Sequence, residues 1–175
     1  MSVAWGVALG GTFGLLLPYL LGYWHLHAPM SWWVVAQAAG GVLIAAGLAA
    51  IVGSFVEFIR ARGTPVPQVS PPRLVVRGPY RYVRNPIYVG FLVVLGGEAL
   101  LFGSRGLVEY MAISFCVGAA AVRFYEEPTL ARRFGADYAA YRRAVRAWTP
   151  RLHPSRSGGP TGPVVQSDVH RRPSR

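Results

Sequence analysis

Two polar clusters interrupt a strongly apolar chain, and both carry side chains that can bind a charged ligand. The first, residues 77–88, holds three arginines and three tyrosines between the turn signals Gly78-Pro79 and Asn85-Pro86. The second is the acidic pair Glu126 and Glu127. Paired carboxylates can bind a cationic or hydroxyl-bearing ligand, or take a proton as a general base. The alternative for the pair is structural, since negative charge stabilises the first turn of a helix.

Asn85 and Pro86 also predict the start of a helix, with asparagine as the N-cap and proline at the first helical position. A helix that begins there leaves free backbone N–H groups at its amino end. Such an end suits a carboxylate or a phosphate. The structural and the ligand-binding interpretations of this dipeptide are compatible.

The elements that must position both clusters are apolar helices. No Asp, Glu, Lys or Arg occurs before Glu57, and the runs 3–23 and 32–56 are long enough to cross a bilayer, for which about 20 residues suffice. Two shorter apolar runs, 87–102 and 107–122, form a hairpin that brackets the space between the clusters. Because a hairpin returns the chain to the side it left, we expect the two clusters to meet.

We therefore predict an all-α integral membrane bundle with about four membrane helices, at residues 3–23, 32–58, 87–102 and 107–124. Spacings of three and four between apolar residues predict a cytoplasmic amphipathic helix at 126–147. These elements make one domain, residues 1–154, and the Gly-, Pro- and Ser-rich tail 155–175 is expected to be disordered. The proline-rich stretch 64–72 predicts an extended connector. Small residues four apart, such as Ala36 and Gly40, are typical of close helix contacts.

Charge distribution predicts the orientation. All 18 basic residues are arginine, none precedes Arg60, and most lie in 60–86 or from Arg123 onward. Arginine in loops that flank apolar runs marks the cytoplasmic side, so both termini are expected there, as in a multi-pass protein of a bacterial inner membrane. The same distribution excludes nucleic-acid binding as the explanation of the net charge of +11.

Other chemistry finds little support in the sequence. The histidines stand at no metal-ligand spacing from Glu or Cys, so we predict no metal site, and the single Cys116 excludes a disulfide. Glu98 and Glu109 lie inside the apolar hairpin, where an ionisable residue is a functional candidate. Because the hairpin is short and Arg105 lies at its tip, a salt-bridged or neutral structural role is the alternative for them.

The order of these motifs resembles a known group of enzymes. Gly78-Pro-Tyr-Arg-Tyr-Val-Arg-Asn-Pro-Ile-Tyr-Val-Gly90, an apolar hairpin, Glu126-Glu127 and Trp148-Thr-Pro-Arg151 follow one another. The pattern is similar to the isoprenylcysteine carboxyl methyltransferase and phospholipid N-methyltransferase group of membrane enzymes. The resemblance covers residues 72–151 and is specific for the superfamily more than for a substrate. It implies methyl transfer from S-adenosylmethionine to a lipid or lipid-modified carboxylate or amine at the cytoplasmic membrane face.

The resemblance also implies site residues. An arginine near the acidic pair is associated with substrate in this group, and Arg123 is the candidate here, with Glu126 as the second catalytic candidate. The positions that match the cofactor contacts are Leu74, Val75, Tyr80, Arg84, Asn85, Pro86, Tyr88, Glu126 and Glu127.

One position departs from the pattern, because Asn85 stands where the group most often has histidine. Asparagine can donate or accept a hydrogen bond but does not titrate near neutrality, so a histidine general base is excluded. Two alternatives stay open. One is a membrane sterol or lipid reductase that uses NADPH, whose arginine-proline-tyrosine motif is similar, although Ile87 and Phe91 favour methyl transfer. The other is a non-catalytic membrane protein that retains the fold.

Overall fold

The computed structural model describes residues 12–21, 24–25, 30, 33–60 and 74–153. Every regular element in these residues is helical, so the all-α prediction is confirmed for them. The elements are a π-helical turn (Thr12–Leu16) that continues as α1 (Leu17–Leu20), α2 (Trp33–Arg60), a 3₁₀ turn (Gly78–Arg81), α3 (Pro86–Phe102), α4 (Arg105–Ala121), a second π-helical turn (Val122–Glu126) and α5 (Glu127–Ala144). The predicted connector 64–72 and the tail 155–175 lie outside the described residues, as does most of the first half of the predicted helix 3–23.

Two helices are long and apolar enough to cross a membrane. One is α2, over Trp33–Glu57, and the other is the continuous helix Arg105–Ala144, which contains α4 and α5. Helix α3 is as apolar but has 17 residues, about 26 Å at 1.5 Å per residue, which is short of a hydrocarbon core of about 30 Å. Two spans are thus supported by length and composition among the described residues, and the count of four membrane helices stays a prediction.

Helices α2 and α3 run antiparallel in backbone contact along a seam of glycines. A Cβ atom on Gly40 would lie 2.6 Å from the carbonyl oxygen of Gly97, and one on Gly47 would lie 2.6 Å from that of Gly90. Both distances are far shorter than van der Waals contact, so a larger residue at any of these positions would push the helices apart. The small residues that make the contact are seven apart on each helix, whereas the sequence pattern noted a spacing of four.

The far end of this helix pair is held by side-chain hydrogen bonds to free carbonyl groups. Trp33 Nε1 donates to the Leu100 carbonyl at 3.1 Å, and Gln37 Nε2 donates to that of Leu101 at 3.2 Å. The last four carbonyls of a helix have no partner within it, so these bonds satisfy orphan acceptors at the end of α3. The opposite end of α3, at Pro86, is where the two polar clusters meet.

The hairpin of α3 and α4 leads into a π-helical turn where the sequence predicts a gap between two helices. Val122–Glu126 takes the wider π geometry, and α5 starts at Glu127 without a break in the helix. A π turn changes the direction in which the next residues point, and such turns are frequent at functional sites. Here the turn directly precedes the point at which Glu126 and Glu127 contact the arginine- and tyrosine-rich cluster.

Helix α5 packs through a small apolar core and ends earlier than the sequence predicts. Tyr138, Tyr141 and Val145 are buried against Leu74 and Phe134, among others. Gly135 has φ 47° and ψ −118°, a conformation that L side chains avoid, and it kinks the helix. The helix stops at Ala144 because Val145 is extended, at φ −128° and ψ 132°.

Beyond α5 the chain turns back along the first polar cluster. The Arg84 N–H donates to the Arg146 carbonyl at 2.8 Å, the Asn85 N–H to that of Ala147 at 3.3 Å, and the Arg151 N–H to that of Tyr82 at 3.0 Å. The Arg151 side chain donates to the carbonyl of Ala144. Three backbone bonds in this short stretch fix residues 146–151 against residues 82–85, and so place Trp148 beside α3.

Candidate functional site

The two polar clusters lie in direct contact. Arg84 Nη1 donates to Glu127 Oε1 at 2.8 Å, and the Tyr88 hydroxyl donates to Glu126 Oε1 at 2.5 Å. Each acidic residue therefore has its own partner from the arginine- and tyrosine-rich cluster: Arg84 lies two residues before α3 begins, and Tyr88 lies in its first turn. The structure thus brings together Arg84, Tyr88, Glu126 and Glu127.

The Glu127 half of the site is a buried ion-pair network. The side chains of Arg84 and Glu127 are each 10% exposed. Arg84 Nη1 also donates to the Tyr138 hydroxyl at 3.1 Å, and Arg142 Nη2 lies 3.8 Å from Glu127 Oε2. Breaking a buried pair leaves an uncompensated charge, so this half is held in place by strong electrostatic constraints. One donor is left over, because Arg84 Nε is buried and has no hydrogen-bond partner.

The Glu126 half has a different character. Glu126 is half-buried, and none of the salt bridges among the described residues involves it. Burial raises the pKa of its carboxyl, while the hydrogen bond from Tyr88 acts in the opposite direction and lowers it. Glu126 is therefore a carboxylate that takes up a proton more readily than an ordinary glutamate.

The Tyr88 ring reaches Glu126 by crossing α4 at a glycine. A Cβ atom on Gly118 would lie 3.1 Å from Tyr88 Cδ1, so the ring rests directly on the α4 backbone. On its other side Tyr88 contacts Trp148 edge to face, with ring centroids 6.0 Å apart. The same Trp148 contacts Phe115 at 5.2 Å in a second edge-to-face pair. An aromatic cluster thus adjoins Glu126.

Tyr80 connects the site to α2. Its side chain is hydrogen-bonded to Ser54, which is fully buried, and its carbonyl accepts a hydrogen bond from the Tyr141 hydroxyl at 2.8 Å. Burial raises the pKa of the Tyr80 phenol well above its usual value, and the charges of Tyr141 and Glu126 raise it further. Tyr80 therefore stays a neutral hydroxyl close to the Glu126 carboxylate.

The turn before Tyr80 depends on Gly78. This residue has φ 53°, and a Cβ atom there would lie 2.8 Å from Glu57 Cγ. Both the left-handed conformation and the contact with α2 exclude a side chain at this position. The turn lets the chain pass close under the end of α2 and enter the site at Tyr80.

Asn85 does not make the side-chain cap that the sequence predicts. It occupies the N-cap position and Pro86 the first helical position, but no side-chain capping bond forms. The side-chain amide instead donates to the Ala147 carbonyl at 3.2 Å, next to the bond from the Asn85 backbone N–H to the same oxygen. The physical reason is that the returning chain offers an acceptor where the cap would otherwise form. Asn85 thus joins α3 to residues 146–151.

The remaining candidates lie around this centre. Leu74 packs on the apolar core of α5, and Val75 is half-buried beside it. Arg123 is exposed on the π turn, three residues before Glu126, and none of the salt bridges among the described residues involves it. No group of three or more His, Cys, Asp or Glu side chains among the described residues is arranged to hold a metal ion.

The two acidic residues inside the hairpin, Glu98 and Glu109, differ from each other in burial. Glu109 pairs with Arg105 at 3.0 Å on the exposed hairpin tip, which is the structural alternative considered for it. Glu98 is 3% exposed near the other end of α3.

Four residues join the site that sequence reasoning did not assign to it. Tyr138 and Arg142 complete the Glu127 network, Ser54 holds Tyr80, and Trp148 flanks Tyr88. Tyr138 and Arg142 are four apart on one helix face, and Ser54 is a polar residue among the apolar residues of α2, which are signals that the sequence offered. Trp148 belongs to a motif that carries the family resemblance, but its contact with Tyr88 depends on the returning chain and was not predicted.

An apolar groove of about 440 Å³ lies on the α2 side of the same segment. Its lining residues are Ala50, Pro79, Tyr82, Val83, Pro86, Val89 and Pro150. Neither Glu126 nor Glu127 lines the groove, so it is separate from the charged centre. Its lining is suited to apolar contact and carries no acidic or basic side chain.

A model of the phospholipid methyltransferase family matches residues 35–137, which is more than half of the chain. The match includes α2, α3 and α4, the π turn and the first part of α5, and with them the residues from Leu74 to Glu127 described above. It ends just before Tyr138 and does not include Trp148. No curated protein and no solved structure matches the chain.

Proposed function

The chain belongs to the phospholipid methyltransferase family, and from that premise we propose that it transfers a methyl group from S-adenosylmethionine to a lipid acceptor at the cytoplasmic face of a membrane. The family implies a membrane methyltransferase in broad terms. The methyl donor, the acceptor class and the membrane face are our proposal. The match does not favour the NADPH-dependent reductase.

One observation carries the proposal: residues 80–88 meet Glu126 and Glu127 at the end of the helical hairpin, each acid with its own partner. Together the two halves present carboxylate, guanidinium and phenol groups within a few ångströms of one another. A site of this composition can bind a ligand that carries both charges and hydroxyl groups. It adjoins apolar helices, so a lipid can approach from the side.

The residues present fit S-adenosylmethionine. Its amino-acid end carries a carboxylate, and Arg84 Nε is a buried donor without a partner that suits such an acceptor. Its ammonium, sulfonium and ribose hydroxyl groups are cations or hydrogen-bond donors, which suit Glu126 and the hydroxyls of Tyr80 and Tyr88. When bound, the cofactor would supply an electrophilic methyl group for in-line displacement.

The contribution of the protein is then chiefly orientation, because a displacement depends on holding donor and acceptor in near-attack geometry. The Arg84–Glu127 pair fixes the start of α3 relative to α5, and Tyr88 is fixed between Gly118 and Glu126. The turn at Gly78 positions Tyr80 from the α2 side. Arg123, exposed at the same end of the hairpin, is in our proposal the residue that binds the lipid acceptor.

The proton chemistry depends on the acceptor. A carboxylate is already ionised at neutral pH and needs no base, whereas an amine must lose a proton. Glu126 is the side chain suited to take that proton, because burial raises the pKa of its carboxyl and no cation neutralises it among the described residues. Glu127 is not suited, because Arg84 and Arg142 already hold its two oxygens.

The membrane orientation in this proposal follows from the arginines. Exposed arginines of the described residues gather on α5 and the returning chain, at the same end of the hairpin as the acidic pair. By the positive-inside rule that end is cytoplasmic, where a soluble cofactor is available. We propose a multi-pass protein of a bacterial inner membrane, with both termini in the cytoplasm.

The test is isothermal titration of the detergent-solubilised protein with S-adenosylmethionine and, separately, with NADPH. We expect saturable binding of S-adenosylmethionine and none of NADPH. Binding of NADPH alone would overturn the methyltransferase proposal in favour of a reductase, and binding of neither would favour a non-catalytic protein.

The acceptor requires a second experiment. Lipid extracts from cells with and without the gene, incubated with the protein and a labelled methyl donor, should yield a labelled lipid whose headgroup identifies the acceptor. The Arg123→Ala variant should lower transfer while leaving S-adenosylmethionine affinity unchanged, because in the proposal this arginine meets the lipid and not the cofactor. Unchanged transfer by that variant would remove Arg123 from the site.

A further inference from the structure

Trp148 lies outside the family match, yet it contacts Tyr88, the partner of Glu126. Its ring meets Tyr88 with an interplanar angle of 66° and Phe115 with an angle of 75°. Both contacts are therefore edge to face, one with a ring from α3 and one with a ring from α4. Tyr88 in turn donates its hydroxyl proton to Glu126 at 2.5 Å.

The cluster keeps open surface. Phe115 is 42% exposed, and Tyr88 and Trp148 are half-buried. The position of Trp148 is fixed by its neighbours in the chain, since Arg146 and Ala147 accept backbone hydrogen bonds from Arg84 and Asn85. We call Trp148, the two rings that meet it edge to face and the adjoining Glu126 the aromatic compartment; it is a partly exposed aromatic cluster with a carboxylate at one side.

Onium cations are the ligands that this chemistry recognises. A positive charge is attracted to the face of an aromatic ring, most strongly to tryptophan, and rings set at angles to one another bind quaternary ammonium groups. A carboxylate beside the rings supplies the counter-charge. We propose that Trp148, Tyr88 and Phe115, with Glu126 at their side, bind an onium cation during the reaction.

This inference rests on the proposed function and adds residues to it. Two chemical groups of the reactants in methyl transfer carry a positive charge: the sulfonium of S-adenosylmethionine and the ammonium of an amine-bearing lipid. Both would fit a compartment that borders Glu126. Trp148 is on this account a binding residue that selects a cation, and its contribution differs from apolar packing because it depends on the ligand's charge.

The first experiment measures affinity for two ligands that differ in that charge. S-Adenosylmethionine carries the sulfonium, and S-adenosylhomocysteine replaces it with a neutral thioether. We expect Trp148→Leu to lower S-adenosylmethionine affinity about two- to thirty-fold, the range of a cation–aromatic contact, and to leave S-adenosylhomocysteine affinity unchanged. Trp148→Phe keeps an aromatic ring, so its S-adenosylmethionine affinity should lie between those of wild type and Trp148→Leu. Phe124→Leu is the matched control, because Phe124 is 80% exposed on the adjoining π turn and should leave both affinities unchanged.

The second experiment tests the ammonium source. The protein saturated with S-adenosylhomocysteine is titrated with tetramethylammonium chloride, and binding is followed by isothermal titration calorimetry, which does not depend on Trp148 as a reporter. If the compartment holds the acceptor's ammonium, wild type and Phe124→Leu bind tetramethylammonium and Trp148→Leu binds it at least about two-fold more weakly, while the ratio of the two nucleoside affinities does not change.

The outcomes distinguish a failure of the proposed compartment from a failure of the proposed function. If Trp148→Leu loses affinity for S-adenosylmethionine but not for S-adenosylhomocysteine, the compartment binds the sulfonium. If Trp148→Leu loses affinity for tetramethylammonium instead, the compartment binds the ammonium of the acceptor. The proposal is overturned by two results together. The first is that both Trp148 variants change the two nucleoside affinities equally or leave both unchanged. The second is that these variants bind tetramethylammonium as wild type does. If wild type binds neither nucleoside, the proposed function fails, and the tetramethylammonium titration of the unliganded protein still decides the inference.

Discussion

Glu126 and Glu127 are neighbours in the chain, yet they stand in opposite physical situations. Glu127 is held by two arginines and is part of a network in which Arg84 and Tyr138 are also engaged. Glu126 has a phenol as its partner and aromatic rings beside that phenol, and burial raises the pKa of its carboxyl. We therefore propose a division of roles, in which the Glu127 half holds the helices together and the Glu126 half is available to a ligand.

Helix geometry explains how adjacent residues reach different partners. Residues i and i+1 of a helix point about 100° apart, so one acid of a pair can face α3 while the next faces Arg84 and α5. The wider turn at Val122–Glu126 sets where that divergence falls along the helix. The two side chains then meet Tyr88, in the first turn of α3, and Arg84, two residues before that helix begins.

The largest effect is expected from Glu127→Gln. This change leaves Arg84 buried without its counter-charge, which costs about 3 kcal/mol or more of the free energy of unfolding. Thermal and denaturant unfolding in detergent would measure it. The matched control is Glu126→Gln, the same substitution one residue earlier, which removes no salt bridge and should leave unfolding within about 1 kcal/mol of wild type. Equal destabilisation by the two variants would abolish the distinction between the halves.

A smaller effect is expected from Tyr138→Phe. The substitution keeps the buried ring and removes the hydroxyl that accepts a hydrogen bond from Arg84 at 3.1 Å. Because Arg84 keeps Glu127, the loss should be about 1 kcal/mol in the free energy of unfolding. Tyr125→Phe changes an exposed tyrosine on the π turn and serves as the control. A loss as large as that of Glu127→Gln would mean that Tyr138, and not the acid, is the main partner of Arg84.

The smallest effect is a pH dependence that belongs to Glu126. Because burial raises the pKa of Glu126 in the folded protein, the folded state binds the proton more tightly than the unfolded chain does. The stability from this proton is complete below the ordinary glutamate pKa and is lost as pH rises from there through the folded pKa.

Unfolding free energies measured across that window should fall with rising pH in wild type more steeply than in Glu126→Gln. Tyr88→Phe should shift the window to higher pH, because it removes the hydrogen bond that lowers the pKa of Glu126. Identical pH profiles for wild type and Glu126→Gln would show that this carboxyl has an ordinary pKa, contrary to the account.

The sequence predicted much of the frame and part of the site. Long charge-free runs predicted apolar helices, and the hairpin between the two polar clusters implied that they meet, as Arg84 and Tyr88 do with Glu127 and Glu126. The start of α3 at Pro86 also followed from local residue chemistry. These features depend on local composition and on the simplest chain topology, which a single sequence carries.

What the sequence did not predict depends on contacts between distant segments. Asn85 gives up its side-chain cap for the Ala147 carbonyl, 62 residues later, and Trp148 reaches Tyr88 because the chain reverses after Val145. The π turn at Val122–Glu126 was likewise hidden, since no residue type marks it. The separate roles of Glu126 and Glu127 emerge from these contacts and not from the dipeptide itself.

The central claim is that Glu126 meets the methyl donor, and one measurement tests it most directly. Isothermal titration with S-adenosylmethionine would compare wild type, Glu126→Gln and the Phe124→Leu control at neutral pH, after each variant is shown to be folded. Loss of a charged hydrogen-bond partner predicts that Glu126→Gln binds about tenfold or more weakly, while Phe124→Leu binds as wild type does. Wild-type affinity in folded Glu126→Gln would contradict the account.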